Sequence, residues 1–273
     1  MFKNKYDLES GRHEMEEMEK FGLKMALLDT DTILSMEPAL RPDIAGGIHM
    51  LEDGHMDPAL FVAELARHLI DQGVDLRTES EVIGFETING TIRTVHTTRG
   101  DLHPEQVVLA AGAWSTAVVR DLQLGLPMQP AKGYSVTIQR PENSLQTPVH
   151  FGESRVVATP MGPHLRFAGT MELAGFDFTI NQRRVNAILR AAQSYMTGVD
   201  EMEVVEIWRG MRPLPPDGLP YIGRPASLDN LVVATGHSYL GLSMGTITGQ
   251  LVSELIRDEQ PSIDLTLLDV DRF

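Results

Sequence analysis

Cysteine is absent from the 273-residue sequence. Its absence excludes a disulfide framework, thiolate catalysis, an iron–sulfur cluster and the attachment of a cofactor through sulfur. The first seven residues are followed by acidic side chains rather than an apolar core, so we expect no signal peptide. We therefore expect a cytoplasmic protein, either free or bound peripherally at the inner face of the membrane.

Positive charge and long apolar runs are also scarce. Only 23 Lys and Arg stand against 38 Asp and Glu, which gives a formal net charge of −15. Such a chain is repelled by a phosphate backbone, so we expect no nucleic-acid partner. The longest apolar run, residues 107–114, is far shorter than the roughly 20 residues that a membrane-spanning helix needs. No transmembrane segment and no metal site are predicted.

Two short apolar runs end in the same way. Residues 106–112 (QVVLAAG) and 230–236 (NLVVATG) each finish on a small residue and a glycine. This shared ending predicts two strands of one parallel sheet whose carboxyl ends face one ligand, where nucleotides bind in open α/β sheets. For residues 111–114 the alternative is a tight turn with a buried tryptophan.

A helix with glycines on one face is predicted after the second run. Gly241, Gly245 and Gly249 are spaced four apart, and each costs a helix roughly 1 kcal/mol relative to alanine. A bare helix face allows the close approach of a ligand, and the N–H groups at the helix start suit an anionic or carbonyl-rich one. Tight packing of the helix on its own sheet is the alternative.

Residues 215–223 are rich in Pro and Gly, which predicts a stiff loop that holds nearby side chains in place. Arg212 lies just upstream of this loop, and we expect the loop to hold its charged side chain in place. Its planar guanidinium matches a carboxylate, so we expect it to anchor a small carboxylic acid. A surface or ion-paired arginine is the alternative.

The remaining segments predict two kinds of structure. Helices are expected at residues 9–21 and 58–72, and strands at 74–77, 81–86 and 91–97, with a hairpin turn at Asn89-Gly90. Between residues 128 and 206, strand-like pieces and one helix at 183–196 indicate an antiparallel sheet with a covering helix.

Several stretches together resemble the D-amino-acid oxidase superfamily of flavin-dependent amino-acid oxidoreductases. Its C-terminal signature is matched by GMRP, PDGLPYIG and ATGH with the glycine-spaced helix. The stretches AKGYS, TPMG and RFAGTMEL are similar to its D-amino-acid dehydrogenase branch. The resemblance runs from near residue 20 to the end of the sequence.

This resemblance implies an α/β plus α+β fold, in which an antiparallel-sheet substrate domain is inserted into an incomplete Rossmann-like FAD-binding domain of the glutathione-reductase type. The implied segments are 1–55 (partly substrate domain), 56–127 (FAD-binding, with a three-stranded meander), 128–206 (substrate domain) and 207–273 (FAD-binding). The fold is called incomplete because the sequence contains no G-x-G-x-x-G, which the family places near its amino terminus.

The resemblance also implies the cofactor, FAD, and the site residues. Arg212, Tyr134 and Lys132 are expected in the substrate pocket, with water-facing edge-strand positions as the alternative for Lys132. The residues expected to contact FAD are Val82, Ala111, Gly112, Trp114, Gly236, His237, Gly241, Leu242 and Ser243.

The implied function is oxidative deamination of D-amino acids by hydride transfer from Cα to flavin N5, with a quinone or dye rather than oxygen as electron acceptor. We expect the chain alone, as the C-terminal portion of such an enzyme, to be inactive and to self-associate. One alternative is an oxidoreductase of the same superfamily acting on glycine, sarcosine or proline. Another is a non-catalytic module that binds a carboxylate or a partner chain.

Overall fold

The computed structural model describes residues 1–199 and 203–273. The chain divides into two compact units, each built from segments that are distant in sequence. Unit 1 comprises Met1–Phe61, Gly133–Glu172 and Phe178–Gly210. Unit 2 comprises Val62–Lys132, Leu173–Asp177 and Met211–Phe273.

The elements follow one another along the chain as α1 (Lys5–Glu19), β1 (Met25–Leu28), α2 (Thr30–Met36), β2 (Gly47–Met50), α3 (Pro58–Asp71), β3 (Val82–Ile88), β4 (Thr91–Thr97), β5 (Gly100–Leu102), β6 (Val107–Leu109), α4 (Ser115–Val118), β7 (Gln129–Gln139), β8 (Val149–Phe151), β9 (Val156–Met161), β10 (His164–Glu172), α5 (Gln182–Tyr195), β11 (Val204–Leu214), β12 (Tyr221–Gly223), β13 (Leu231–Thr235) and α6 (Gly241–Ile256). Short 3-10 turns lie at Gly112–Trp114, Arg120–Leu122 and Thr266–Leu268.

The main sheet of unit 1 has the strand order β11-β7-β10-β9-β8. β9 and β10 pair antiparallel, and buried side chains alternate with half-buried ones along both strands, as expected for a sheet with one face in the core. Helix α5 covers this core with Val185, Ile188 and Tyr195. The predicted antiparallel sheet with a covering helix is therefore confirmed.

Unit 2 contains a three-stranded sheet in the order β12-β13-β6 and the meander β3-β4-β5. β6 and β13 run parallel, with Val107 opposite Leu231, so the predicted parallel pair is confirmed. All five residues of β13 are buried, because the strand lies between two others. Buried Asn230, just before β13, ties this sheet to the meander: it accepts from Ile92 N at 2.8 Å and donates to Ile92 O at 2.9 Å.

The meander corrects one predicted strand. Residues 74–77 form no strand, and the third strand is β5 instead. The chain reverses after β4 because Gly100 adopts a positive φ of 112° and the Thr97 hydroxyl donates to Gly100 O at 2.6 Å. The predicted turn at Asn89-Gly90 is confirmed, since both residues have positive φ, as a two-residue hairpin turn requires.

The proline-rich stretch is only partly a loop. Residues 215–220 are irregular, but Tyr221–Gly223 forms β12, antiparallel to β13. The prediction of a loop over residues 215–223 was therefore wrong at its end. Tyr221 and Ile222 have high strand propensity and are buried, and pairing with β13 satisfies their backbone groups.

No helix in the described ranges 1–199 and 203–273 is long and apolar enough to cross a membrane.

Arg272 fastens the chain end to the loop that leads into β12. Its side chain, only 12% exposed, donates from Nε to Asp217 Oδ2 at 2.8 Å and from Nη2 to Leu219 O at 2.7 Å. The guanidinium also lies over the Tyr221 ring, 3.9 Å from its centroid. The residue thus combines charge-assisted hydrogen bonds with a cation–π contact.

We expect Arg272→Met to lower the free energy of unfolding by about 2–3 kcal/mol, because several charge-assisted hydrogen bonds are lost. Hydrogen bonding from Arg272 lowers the pKa of Asp217, so this contribution is present above the unfolded-state pKa and disappears as pH falls through the folded-state pKa. Urea unfolding at pH 7 and pH 3 measures both effects. Arg257→Met, which removes an exposed pair with Glu259, is the control; equal losses in both variants would contradict this account.

Candidate functional site

The carboxyl ends of the two parallel strands are joined by hydroxyl groups. Ser115 Oγ and Thr235 Oγ1 are buried and lie 2.8 Å apart, and Thr235 Oγ1 also donates to Gly112 O at 3.1 Å. These bonds fix the turn after β6 relative to the end of β13. The structure therefore brings Ala111, Gly112 and Trp114 together with Gly236, as the shared strand endings predicted.

Both strand ends need their glycines. Gly112 and Gly236 have φ angles of +54° and +82°, which side-chain-bearing residues rarely adopt. At Gly236 an added Cβ would also lie 2.8 Å from Pro215 Cγ. Trp114, in contrast, is 48% exposed and lies 5.6 Å from Phe176 between ring centroids, so the alternative of a buried tryptophan is wrong.

His237 follows β13 and is oriented by helix α6. Its Nε2 lies 3.0 Å from Thr248 Oγ1, and burial lowers the pKa of His237 below its ordinary value. The imidazole is therefore neutral at pH 7. The next residue, Ser238, has a positive φ of 52° and donates its N–H to Pro213 O at 3.0 Å. Backbone strain of this kind is often found at functional sites.

The glycine face of α6 is open. An added Cβ at Gly245 or Gly249 would meet no atom of the described residues within 4 Å, and at Gly241 it would meet only His237 Cβ, at 3.6 Å. The alternative, in which the glycines allow the helix to pack tightly on its own sheet, is therefore wrong, because such packing would place atoms of the sheet in contact with the glycines. Leu242 and Ser243 lie exposed in the first turn of α6, and its N-cap residue, Leu240, provides no side-chain cap within the described structure.

Val82 lies half-buried on β3, in the meander sheet. A register irregularity between Val82 and Gly84 interrupts the pairing with β4 and leaves Ile83 61% exposed. β3 packs against α4, the helix that follows the Gly112–Trp114 turn. The contact of Val82 with an adenine ring stays a prediction.

Lys132 and Tyr134 lie on β7, which is an interior strand rather than an edge. The water-facing alternative for Lys132 is therefore wrong: its side chain is 0% exposed and its Nζ donates to Asp177 Oδ2 at 2.9 Å, within unit 2. An interior strand buries its side chains, and a buried ammonium requires a carboxylate or carbonyl partner.

Tyr134 is held within unit 1. It is 1% exposed, its hydroxyl donates to Glu172 Oε2 at 2.5 Å, and it accepts from Asn181 N at 3.4 Å. A phenol has one proton to donate, so Tyr134 could offer a substrate only an acceptor. Asp177 and Glu172 were not predicted as partners. Glu172 was part of a recognised stretch, whereas Asp177 carries no signal in the sequence.

Arg212 lies half-buried on β11. The prediction that a stiff loop holds this side chain in place is therefore corrected, because a strand positions it. Pro213 is compatible with this strand because β11 is at the edge of the sheet. Arg209, three residues earlier, donates to Phe178 O, and its guanidinium lies 5.7 Å from the Phe178 ring centroid. The carboxylate-anchor role of Arg212 stays a prediction.

Residues 3–255 match the family model described as DAO, FAD dependent oxidoreductase. The D-amino acid dehydrogenase of Granulibacter bethesdensis is 29% identical over 279 residues, covering 100% of this chain and 66% of the relative. The chain thus spans slightly less than two thirds of that relative's length.

Solved structures show the same similarity. Glycine oxidase from Geobacillus kaustophilus superposes with a TM-score of 0.88 at 29% identity, over 93% of this chain and 69% of the other. The L-proline dehydrogenase from P. horikoshii superposes with a TM-score of 0.91 at 21% identity, over 100% and 75% of the two chains, which supports the fold alone. The mixed α/β and antiparallel-sheet fold class predicted from the sequence is confirmed, and this chain belongs to the DAO family of FAD-dependent oxidoreductases.

Proposed function

We propose that this chain acts in the oxidative deamination of D-amino acids, with FAD as the hydride acceptor. The observation that carries the proposal is the open glycine face of α6, which begins beside the fixed ends of β6 and β13. Such a face suits a flat ligand that must approach backbone closely. The name of the similar Granulibacter bethesdensis enzyme supports D-amino acids as the substrate.

The residues present fit the flavin end of FAD. An added Cβ at Gly245 or Gly249 would project into space that no described residue fills, so the helix leaves room there for a ring. The uncapped first turn of α6 offers the N–H groups of Gly241, Leu242 and Ser243 to ring carbonyls. Gly112, Trp114, Gly236 and His237 would line the same region from the strand ends, and Val82 would serve the adenine.

The chemistry follows from orientation rather than from a protein base. Bound FAD would take up, at N5, the hydride that leaves Cα as the amine nitrogen donates its lone pair. Arg212 would hold the carboxylate by a two-point contact and so direct the Cα–H bond. His237, whose pKa is lowered by burial, would be neutral and would add no charge near the reacting nitrogen.

A second candidate is an oxidoreductase of the same family that acts on glycine, sarcosine or proline. Its support is the similarity to glycine oxidase at 29% identity. Anaerobic reduction of the flavin in the flavin-loaded holoenzyme by D-alanine, L-proline, sarcosine and glycine separates the two candidates, since this half-reaction needs no electron acceptor. For the second half-reaction we propose a quinone or dye as the acceptor.

The segments are proposed to serve different roles. Residues 56–127 and 207–273 would contact FAD, and residues 128–206, with part of 1–55, would form the substrate pocket. In this arrangement Lys132, paired with Asp177, would stabilise the pocket wall.

We expect a polypeptide of these 273 residues alone to be colourless and inactive toward D-amino acids with an artificial acceptor. Its sequence has no glycine-rich loop for the pyrophosphate of FAD, which supplies much of the affinity in this fold. Apolar residues of α3 such as Leu65 and Ile70 are 45% and 51% exposed, so the polypeptide should also self-associate.

A visible spectrum, a dye-reduction assay and sedimentation velocity on the purified polypeptide test these three points. Leu65→Glu should reduce the association, and the same change at exposed Ser253 should not. Stoichiometric bound flavin with turnover would contradict the expected loss of affinity, whereas it would leave the proposed reaction intact.

A further inference from the structure

A cavity of about 330 Å³, open to solvent, lies within unit 2, next to the turn that follows β6. Apart from Thr116 and Arg120, the residues that line it are apolar. They include Ala117, Leu124, Met128 and Phe176. The Thr116 hydroxyl already donates to Leu126 O at 2.8 Å. Among the residues that the structure describes, Arg120 is therefore the one charged group on the wall of this cavity.

The Arg120 side chain makes no hydrogen bond or ion pair with any part of the chain that the structure describes. Arg120 is exposed, so its guanidinium is hydrated and accessible to a ligand, whereas the guanidinium groups of Arg12, Arg67 and Arg99 contact carboxylates. An apolar cavity with one unpaired guanidinium is complementary to a ligand that has an apolar body and a single negative charge.

We propose that this cavity binds a small apolar or aromatic monocarboxylate, at a site separate from the Arg212 anchor. Arg212 is not among the residues that line it. A volume of about 330 Å³ is at the lower end of the range for small-molecule sites, which suits a single ring or a short branched chain. The carboxylate pairs with Arg120, and the body of the ligand lies against Met128 and Phe176.

Binding in this cavity can be measured by the fluorescence of a neighbouring tryptophan. The chain contains two tryptophans, and Trp114 contacts Phe176, which lines the cavity, with 5.6 Å between ring centroids. In a Trp208→Phe background, Trp114 is the only indole. The probe 4-nitrobenzoate quenches indole fluorescence and carries one carboxylate, and 4-nitrobenzamide is its uncharged analogue.

We expect 4-nitrobenzoate to quench Trp114 saturably and to give one-to-one binding in titration calorimetry. Arg120→Gln should weaken its binding about tenfold, because a charge-assisted contact is lost, and should leave the weaker binding of 4-nitrobenzamide unchanged. Ala117→Phe, which fills the cavity from an exposed helix position, should abolish binding of both probes. Arg93→Gln, an exposed arginine elsewhere in unit 2, should bind like the parent chain.

The proposal is overturned if the parent chain shows no saturable binding, or if Arg93→Gln weakens binding as much as Arg120→Gln. It is also overturned if Arg212→Met alone removes binding, because the probe would then occupy the proposed substrate anchor. Far-UV circular dichroism checks the fold of Ala117→Phe; if that variant is unfolded, the comparison of Arg120→Gln with Arg93→Gln decides. None of these readouts depends on amino-acid oxidation, so failure here and failure of the proposed reaction are distinguishable.

Discussion

Arg212→Met is expected to raise the KM for a D-amino acid by about 30-fold to several hundredfold in the flavin-loaded holoenzyme. The reason is the loss of one charge-assisted two-point contact with the carboxylate, worth roughly 2–4 kcal/mol. Methionine keeps much of the length and apolar character of the side chain, so the half-buried position on β11 should stay packed. Steady-state kinetics with a dye acceptor, together with flavin reduction under anaerobic conditions, measure the effect.

Arg209→Met is the matched control, since both arginines lie on β11 within three residues of each other. Arg209 donates to Phe178 O and lies over the Phe178 ring, so its loss should reduce stability more than substrate affinity. If Arg209→Met raised the KM more than Arg212→Met, and Arg212→Met kept near-normal kinetics, the anchor would be assigned to the wrong arginine.

In the flavin-binding holoenzyme, Gly245→Val is expected to abolish flavin retention while the chain stays folded. A Cβ at this position meets no described atom within 4 Å, so the chain itself can accommodate the side chain. Valine also has a higher helix propensity than glycine, by up to about 0.5 kcal/mol, so the midpoint of thermal unfolding should not fall. The two added methyl groups would instead occupy the space proposed for the flavin ring.

The bound-flavin ratio from the visible spectrum, measured beside a thermal melt, separates these effects. Ser253→Val places the same side chain on an exposed part of the same helix and should keep the flavin. A stable Gly245→Val protein with full flavin content would refute the placement of the ring along α6. An unfolded variant would instead contradict the open environment of the glycine face.

Local signals in the sequence predicted much of the fold. The shared endings of residues 106–112 and 230–236 predicted the parallel pair β6 and β13, because strand-forming residues followed by small ones are typical of buried parallel strands that end at a ligand. Asn89-Gly90 predicted its hairpin, because two adjacent positive φ angles favour these residues. The family followed from several stretches in combination, and the match of residues 3–255 confirms it.

The incorrect predictions share a cause, which is that local composition does not reveal pairing partners. Residues 74–77 resemble a strand in composition but form no strand. Gly100–Leu102 does form a strand, because the turn at Gly100 brings it back alongside β4. Tyr221–Gly223 follows a proline-rich loop and still pairs with β13. The same holds for Lys132, whose burial depends on β7 lying between β11 and β10.

The sequence by itself determined the family, the parallel strand pair and the row of glycines, because these depend on residue type and spacing along one segment. Only the tertiary structure decided that the glycine face is open, that Lys132 pairs with Asp177 and Tyr134 with Glu172, and that Arg120 faces an apolar cavity. The two pairs join residues 45 and 38 positions apart, and the open glycine face and the cavity depend on space left between elements. Neither a long-range partner nor an empty volume has a periodic signal in the chain, so both arise only when the strands are paired and the helices packed.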